Sequence, residues 1–228
     1  MTQFNQHLGM LVKYWTPGEV KTRLAAGLNP KTAAQLYRCF VTTLANRFAA
    51  IAANRTVVYW PSTRRREIQH AVGDAWRFDV QVDGDLGTRM RSHFEQHQPQ
   101  NGQPTTSSIL IGSDSPTIPM VIIEQAFARL DDVPVVLGPT HDGGYYLVGL
   151  RGVLPPIFDG IAWSTSDVWS QTAERLDAAA IPFATLPTWY DIDSIDDLHQ
   201  LRDELTGEYL HESCYDELRA MVAALDIS

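Results

Sequence analysis

Four short stretches hold side chains suited to an anionic ligand. The first, Lys13-Tyr-Trp-Thr-Pro-Gly18-Glu-Val-Lys21-Thr-Arg23, gathers three cations around one glycine and one proline. Gly18 lets a backbone approach a ligand closely, and Lys21 and Arg23 supply charge, the arginine in a fork that matches phosphate oxygens. The Walker spacing is absent, so a phosphate loop and a solvated basic loop both remain open. The second stretch is Gly112-Ser-Asp114-Ser-Pro116. Asp114 is the kind of single carboxylate that Mg²⁺ accepts when water and phosphates fill its other positions, although the same short residues also suit a helix cap. The third, Gly138-Pro-Thr-His-Asp142-Gly143-Gly144-Tyr145-Tyr146, sets a carboxylate beside two glycines. Their missing side chains leave room for a sugar or base, yet Asp-Gly-Gly is also ordinary turn chemistry. In the fourth, Tyr190-Asp191-Ile-Asp193-Ser194-Ile-Asp-Asp, the alternate carboxylates Asp191 and Asp193 share a side if the chain is extended. Ser194 or Asp193 is expected to cap a helix starting near Ile195, which leaves both aspartates able to reach a metal.

The elements that must position these loops alternate. Residues 8–15, 56–60, 76–82, 107–112, 133–137 and 145–150 read as strands. Helical spacing covers 29–53, the residues from a turn at 84–87 through His97, 120–130, and a run beginning near Ile195. The polar stretch 62–73 is read as a separator. Strand and helix in alternation predict an α/β fold with a mostly parallel sheet covered on both faces, whose ligands bind at the carboxyl ends of the strands. With no repeat and no linker, residues 1–228 are expected to form one domain.

The chain's 228 residues carry 18 Lys+Arg against 27 Asp+Glu, a net charge of −9 that disfavours duplex nucleic acid as a partner. Cys39 and Cys214 stand far apart, so neither a disulfide framework nor a cysteine zinc site is expected. Residues 1–9 lack a basic n-region, and no apolar run approaches the ~18–20 residues that span a bilayer, so a cytoplasmic protein without a membrane partner is expected. His93 and His97 stand four apart in His-Phe-Glu-Gln-His, which lacks the pattern of a zinc protease and reads as a surface pair. Arg64-Arg65-Arg66 reads as a solvated face.

Taken in order, K-x(4)-G-x-x-K-T-R-L, G-D-L-G-x-R-M, G-S-D-S-P, G-P-x-x-D-G-G-Y-Y-L-x-G-L, W-S-T and D-x-D-S-x-D-D-L carry a likeness running from Lys13 to Leu201. The chain resembles the bacterial glycosyltransferase-like proteins of the nucleotide-diphospho-sugar transferase superfamily, which include arsenosugar-biosynthesis glycosyltransferases and are distantly similar to cofactor-biosynthesis guanylyltransferases and cytidylyltransferases. The resemblance implies a GT-A fold, a Rossmann-like three-layer sandwich with a mixed sheet that binds a nucleotide with Mg²⁺ or Mn²⁺. It implies that Lys13, Gly18, Lys21 and Arg23 cover the phosphates, that Gly84, Asp85, Leu86 and Gly87 lie near the base or ribose, and that Asp114 and Asp193 hold the metal. Asp142 would face the acceptor, in a pocket with Gly143, Gly144 and Tyr145. Two positions depart from the family pattern. Trp15 stands where a proline is usual, and Asp114 is followed by Ser115 and Pro116 rather than completing a plain D-x-D.

Three activities fit these features: sugar transfer from a nucleotide-diphospho-sugar to a small acceptor, nucleotidyl transfer from a nucleoside triphosphate, and nucleotide binding without catalysis. Both enzymes need cations on phosphates and a divalent ion. A binder needs no acceptor site, and Asp142 beside the glycines argues for catalysis.

Overall fold

The computed structural model describes residues 5–97, 105–207, 210 and 212–227. Seven strands form one sheet: β1 (Asn5–Lys13), β2 (Asn54–Trp60), β3 (Arg77–Val80), β4 (Thr106–Ile111), β5 (Val135–Pro139), β6 (Tyr145–Arg151) and β7 (Phe183–Thr185). Their order is β3-β2-β1-β4-β6-β5-β7. The ladders β1/β2, β1/β4, β2/β3 and β5/β7 are parallel. β6 pairs antiparallel with both β4 and β5, so six strands run one way and one runs against them.

Alternation within the strands makes the layers. Val57 and Tyr59 of β2, Ile109 and Ile111 of β4, and Val136 of β5 turn into one core with Leu8, Met10 and Val12 of β1. Val58, Leu110, Val135 and Leu137 turn to the other face. The first face is covered by α1 (Thr22–Gly27), α2 (Pro30–Arg47), α3 (Arg65–Val72), α5 (Met120–Arg129), α7 (Ile195–Thr206) and α8 (Asp216–Ala223). The second is covered by α4 (Leu86–Gln96) and α6 (Val168–Ala178). Among the described residues no helix is long and apolar enough to cross a membrane.

Several elements differ from the expectation. The helix expected over 29–53 begins on the Asn29 cap, whose side chain accepts from the Thr32 N–H, but ends at Arg47. Residues 48–53 are helix formers used instead as a turn into β2, with the Ala52 carbonyl taken by the Arg55 guanidinium. The stretch 62–73, read as a separator, holds a 3₁₀ turn and α3, which buries only Ile68 and Val72. The apolar residues Ile68, Ala71 and Val72 of α3 do keep helical spacing, but over only eight residues that open on two arginines and a glutamate. The turn expected at 84–87 is the start of α4, with the Asp85 carboxylate accepting from the Thr88 N–H at 2.8 Å. α1, α6, β7 and α8 have no counterpart among the expected elements.

The expected cap near Ile195 is a complete capping box. The Ser194 hydroxyl accepts from the Asp197 N–H, while the Asp197 carboxylate accepts from the N–H groups of Asp193 (3.0 Å) and Ser194 (2.7 Å). This box fixes the backbone on which Asp191 and Asp193 are carried. Ser194→Ala should cost about 1 kcal/mol, the usual loss of a serine cap. In a chain of this size that is a fall of about 2–4 °C in thermal midpoint, read by calorimetry; no change would show the box to be idle.

Candidate functional site

The loops leaving the carboxyl ends of β1 and β4, the Tyr145 end of the reversed β6, and the segment between β7 and α7 enclose a crevice with two adjoining lobes. One, of about 270 Å³, lies over Lys13, Tyr37, Gln81, Met90 and Gly112. The other, of about 450 Å³, is walled by Arg23, Asp114, Asp142, Trp163, Asp191 and Asp193. Leu86, Gly112, Asp114, Tyr145 and Tyr146 border both.

Against Asp114 and Asp193 the side chain of Lys21 is buried. Its Nζ lies 2.6 Å from Asp114 Oδ1 and 2.7 Å from Asp193 Oδ1. Burial alone would push the ammonium pKa down, but the two carboxylates overcome it and hold the pKa above its ordinary value. Lys21 also adopts φ 47°, a left-handed conformation costing about 1 kcal/mol for a residue with a Cβ. The paired charges hold it there. A second tie runs parallel: the Ile192 N–H donates to the Asp114 carbonyl at 3.0 Å. The two aspartates singled out in the sequence thus meet, 79 residues apart, across an ammonium.

Lys21 is thus paired with two carboxylates rather than free in the loop: composition marks it as a loop cation but cannot show which carboxylates enclose it. Lys13 is also engaged, donating to the Glu19 carbonyl at 2.8 Å across the face of Trp60. Arg23 is exposed on the wall of the larger lobe and makes no ion pair among the described residues. Gly18 has φ 85° and open space on its Cβ side. Of the stretch 84–87, Leu86 reaches the crevice, whereas Asp85 is spent on its cap and Gly87 lies where a Cβ would meet the Phe158 carbonyl at 2.2 Å.

The Asp-Gly-Gly loop is both things expected of it. Asp142 lines the larger lobe, and its Oδ1 also accepts from the Gly144 N–H at 3.1 Å and from the Thr140 hydroxyl, the ordinary turn. The glycine patch, however, is not open at Gly143. A Cβ there would sit 2.1 Å from the Ser166 carbonyl, and the Gly143 carbonyl accepts from Trp169 N–H at 2.8 Å. Segment 163–168, which opens on the Trp-Ser-Thr triplet, fills that space. Gly144 and Tyr145 do border the lobe.

Tyr37 went unnoticed in the sequence because a tyrosine in the apolar stripe of a helix reads as core. Its hydroxyl accepts from the Lys13 N–H at 3.2 Å and shares a 2.7 Å hydrogen bond with the Ser113 hydroxyl, tying α2 to the ends of β1 and β4. Asp191 is the most perturbed carboxylate of the crevice. Burial first, then the charges of Asp193 and Asp142, raise its pKa to about 6. Four aspartates face one space, and only Asp114 and Asp193 have a cation between them.

Residues 43–165 match a family described as "Uncharacterized protein conserved in bacteria (DUF2064)". No curated protein matches the chain. In structure it is similar to a "putative nucleotide-diphospho-sugar transferase" from Desulfovibrio desulfuricans G20, 30% identical, with a TM-score of 0.85 over 97% of this chain and 98% of that one. Two more remote structures share the fold. One is CMP:2-keto-3-deoxy-manno-octonic acid synthetase complexed with CTP (13% identical, TM-score 0.57, 88% of this chain and 98% of that one). The other is 4-diphosphocytidyl-2C-methyl-D-erythritol synthase from Anaerococcus prevotii (8% identical, TM-score 0.57, 89% and 97%). The GT-A-like, nucleotide-diphospho-sugar transferase fold expected from the motifs is the fold of the chain.

Asp191 makes stability depend on pH in an unusual direction. Its pKa in the folded chain lies above the ordinary 3.8, so its contribution is full below about pH 4 and is lost as pH rises through about 6. In chelator-treated buffer, Asp191→Asn should therefore be more stable than the wild type at pH 7–8, by no more than about 3 kcal/mol, with the gap closing below pH 4. Urea unfolding at a series of pH values measures this, and a gap that does not vary with pH would remove the charge explanation.

Proposed function

We infer from the family to which the chain belongs, the bacterial DUF2064 family, and from the crevice its fold encloses, that the protein transfers a sugar from a nucleotide-diphospho-sugar to a small hydroxyl acceptor, with the help of Mg²⁺ or Mn²⁺. The observation that carries this reading is the meeting of Arg23, Asp114, Asp142 and Asp193 on one space at the strands' carboxyl ends. That end of a doubly wound sheet is where such folds hold nucleotides.

The residues present fit a hard divalent ion. The donors are carboxylate oxygens, Asp114 and Asp193 are already drawn to one cation, and the charges of Asp193 and Asp142 add to burial in raising the pKa of Asp191. Asp114 and Asp193 would hold the ion, which when bound neutralises charge on the diphosphate. Lys21 acts from behind them, fixing both carboxylates and keeping a positive charge at the centre. Arg23 takes a phosphate in a forked hydrogen bond. The nucleoside lies toward the smaller lobe, against Leu86 and Gln81, and the sugar and acceptor occupy the larger one with Asp142, Gly144 and Tyr145. The acceptor oxygen bonds to the anomeric carbon as the bond from that carbon to the diphosphate oxygen breaks. The nucleoside diphosphate departs with the electron pair, and Asp142 orients the acceptor hydroxyl and receives its proton.

The test uses the purified chain with Mn²⁺ and a panel of nucleotide-diphospho-sugars and nucleoside triphosphates. One nucleotide-diphospho-sugar should raise the thermal midpoint and release nucleoside diphosphate slowly by hydrolysis without an acceptor. Asp142→Asn should slow that release, and Asp114→Asn should abolish the Mn²⁺ enhancement of binding. Arg23→Ala should weaken nucleotide binding about ten-fold or more, the loss of a charge-assisted hydrogen bond. Pyrophosphate from a triphosphate, with no diphosphate from any nucleotide-diphospho-sugar, would replace this reading with nucleotidyl transfer. Neither product under any condition would leave a binding protein.

A further inference from the structure

At the opposite end of the sheet from the crevice, three histidines converge. His7 lies near the start of β1, and six residues of extended chain, about 20 Å, separate it from Lys13 at the crevice rim. His93 and His97 lie one turn apart at the end of α4, which crosses that face of the sheet. The expectation of a surface pair is wrong here. His93 is 2% exposed, His7 is 3% exposed, and each of the three rings offers a nitrogen within 4.8 Å of the others.

Three details distinguish this cluster from packing. First, both ring nitrogens of His93 are buried without a hydrogen-bond partner, a state that costs on the order of 1–3 kcal/mol per polar group unless something satisfies it. Second, the ring fits only because residue 9 is glycine: a Cβ there would lie 2.5 Å from His93 Cε1 and Nε2. Third, the outer histidine is oriented by its neighbours. The His97 Nδ1–H donates to the His93 carbonyl at 2.8 Å, which leaves Nε2 as the ring nitrogen available to a metal. Asp79 Oδ2 stands 3.9 Å from that nitrogen.

We propose that His7, His93 and His97 bind a divalent transition ion of the zinc class, clamping the end of α4 to β1. Imidazole nitrogens suit Zn²⁺, Cu²⁺ and Ni²⁺ and disfavour Mg²⁺, so this site and the carboxylate crevice select different metals. His7 now has Ser108 Oγ at 3.1 Å from Nδ1 and Thr56 Oγ1 at 3.0 Å from Nε2. On ligation it gives up one hydroxyl and keeps the other as the outer partner that orients a ligating histidine. Tetrahedral zinc needs ligand nitrogens about 3.3 Å apart, so from a spread of at most 4.8 Å the rings close by no more than about 1.5 Å, with the stacked faces of His7 and His97 turning edge-on. His97 is one-fifth exposed and supplies both that movement and the route of entry. Asp79 or a water completes the four. Burial already keeps His7 and His93 neutral, the form that ligates.

Calorimetric titration of the metal-stripped chain with Zn²⁺, in excess Mg²⁺ to occupy the carboxylates, should show one ion per chain and a raised thermal midpoint. Co²⁺ in place of Zn²⁺ should give the visible absorption of a nitrogen-ligated tetrahedral ion. Asp114→Asn should bind Zn²⁺ as the wild type does, whereas His97→Ala, a change at the partly exposed ring, should bind at least ten-fold more weakly, shift the Co²⁺ spectrum and keep its metal-free thermal midpoint. His93→Gln tests the buried ligand if it folds, and the outcome for His97→Ala stands without it. No Zn²⁺ binding by the wild type, binding unchanged in His97→Ala, or binding lost in Asp114→Asn would overturn the proposal. None of these outcomes touches the assignment of the crevice, which is tested with Mg²⁺ or Mn²⁺ alone.

Discussion

The arrangement of the crevice depends on one buried ammonium. Lys21 lies in the loop between β1 and α1, Asp114 follows β4, and Asp193 precedes α7, and the three charges meet there. A lysine taken out of water without a partner would lose its proton or open the structure. Two carboxylates, each with about two-fifths of the side chain still wet, keep it charged at a lower desolvation cost than a fully enclosed pair. The same contacts determine where the first loop and the segment 190–194 can lie, and hence the shape of the larger lobe. The Ile192 to Asp114 hydrogen bond and the Tyr37 to Ser113 contact then fix what the charges have drawn together.

Much of this was legible in the sequence, and the limit has a physical cause. Strands and long helices announce themselves through runs and periods, so β4 and α5 are found within a residue or two of their expected ends. Asp114, Asp142 and Asp193 were legible as crevice residues because each follows or precedes a recognisable strand or cap. What could not be read was pairing across distance. Lys21 looks like a phosphate ligand until Asp114 and Asp193 stand beside it. Gly143 looks like open space until Ser166 fills it. His93 looks like a surface residue until His7, 86 positions earlier, comes up beneath it. The antiparallel course of β6 is likewise absent from its composition, since an apolar run bounded by turns carries no direction.

That reversed strand matters to the site. A parallel strand delivers its last residue to the carboxyl edge of the sheet, whereas β6 delivers its first. The Asp-Gly-Gly turn therefore joins the two strands on the same rim as the loops after β1 and β4, and Tyr145 and Tyr146 line the crevice from the beginning of their strand. A fold with only parallel strands would have to bring that wall back through a crossover helix.

The contact between Gly143 and Ser166 has a further consequence. Backbone lies against backbone there, so no side-chain rotation can part the two segments, and a β-carbon at residue 143 would have to force them apart. Gly18 is different: nothing lies within 4 Å of the position a side chain would take. Gly144 and Tyr145, which follow Gly143 and border the larger lobe, by contrast stand on a contact between two main chains rather than on rotatable side chains.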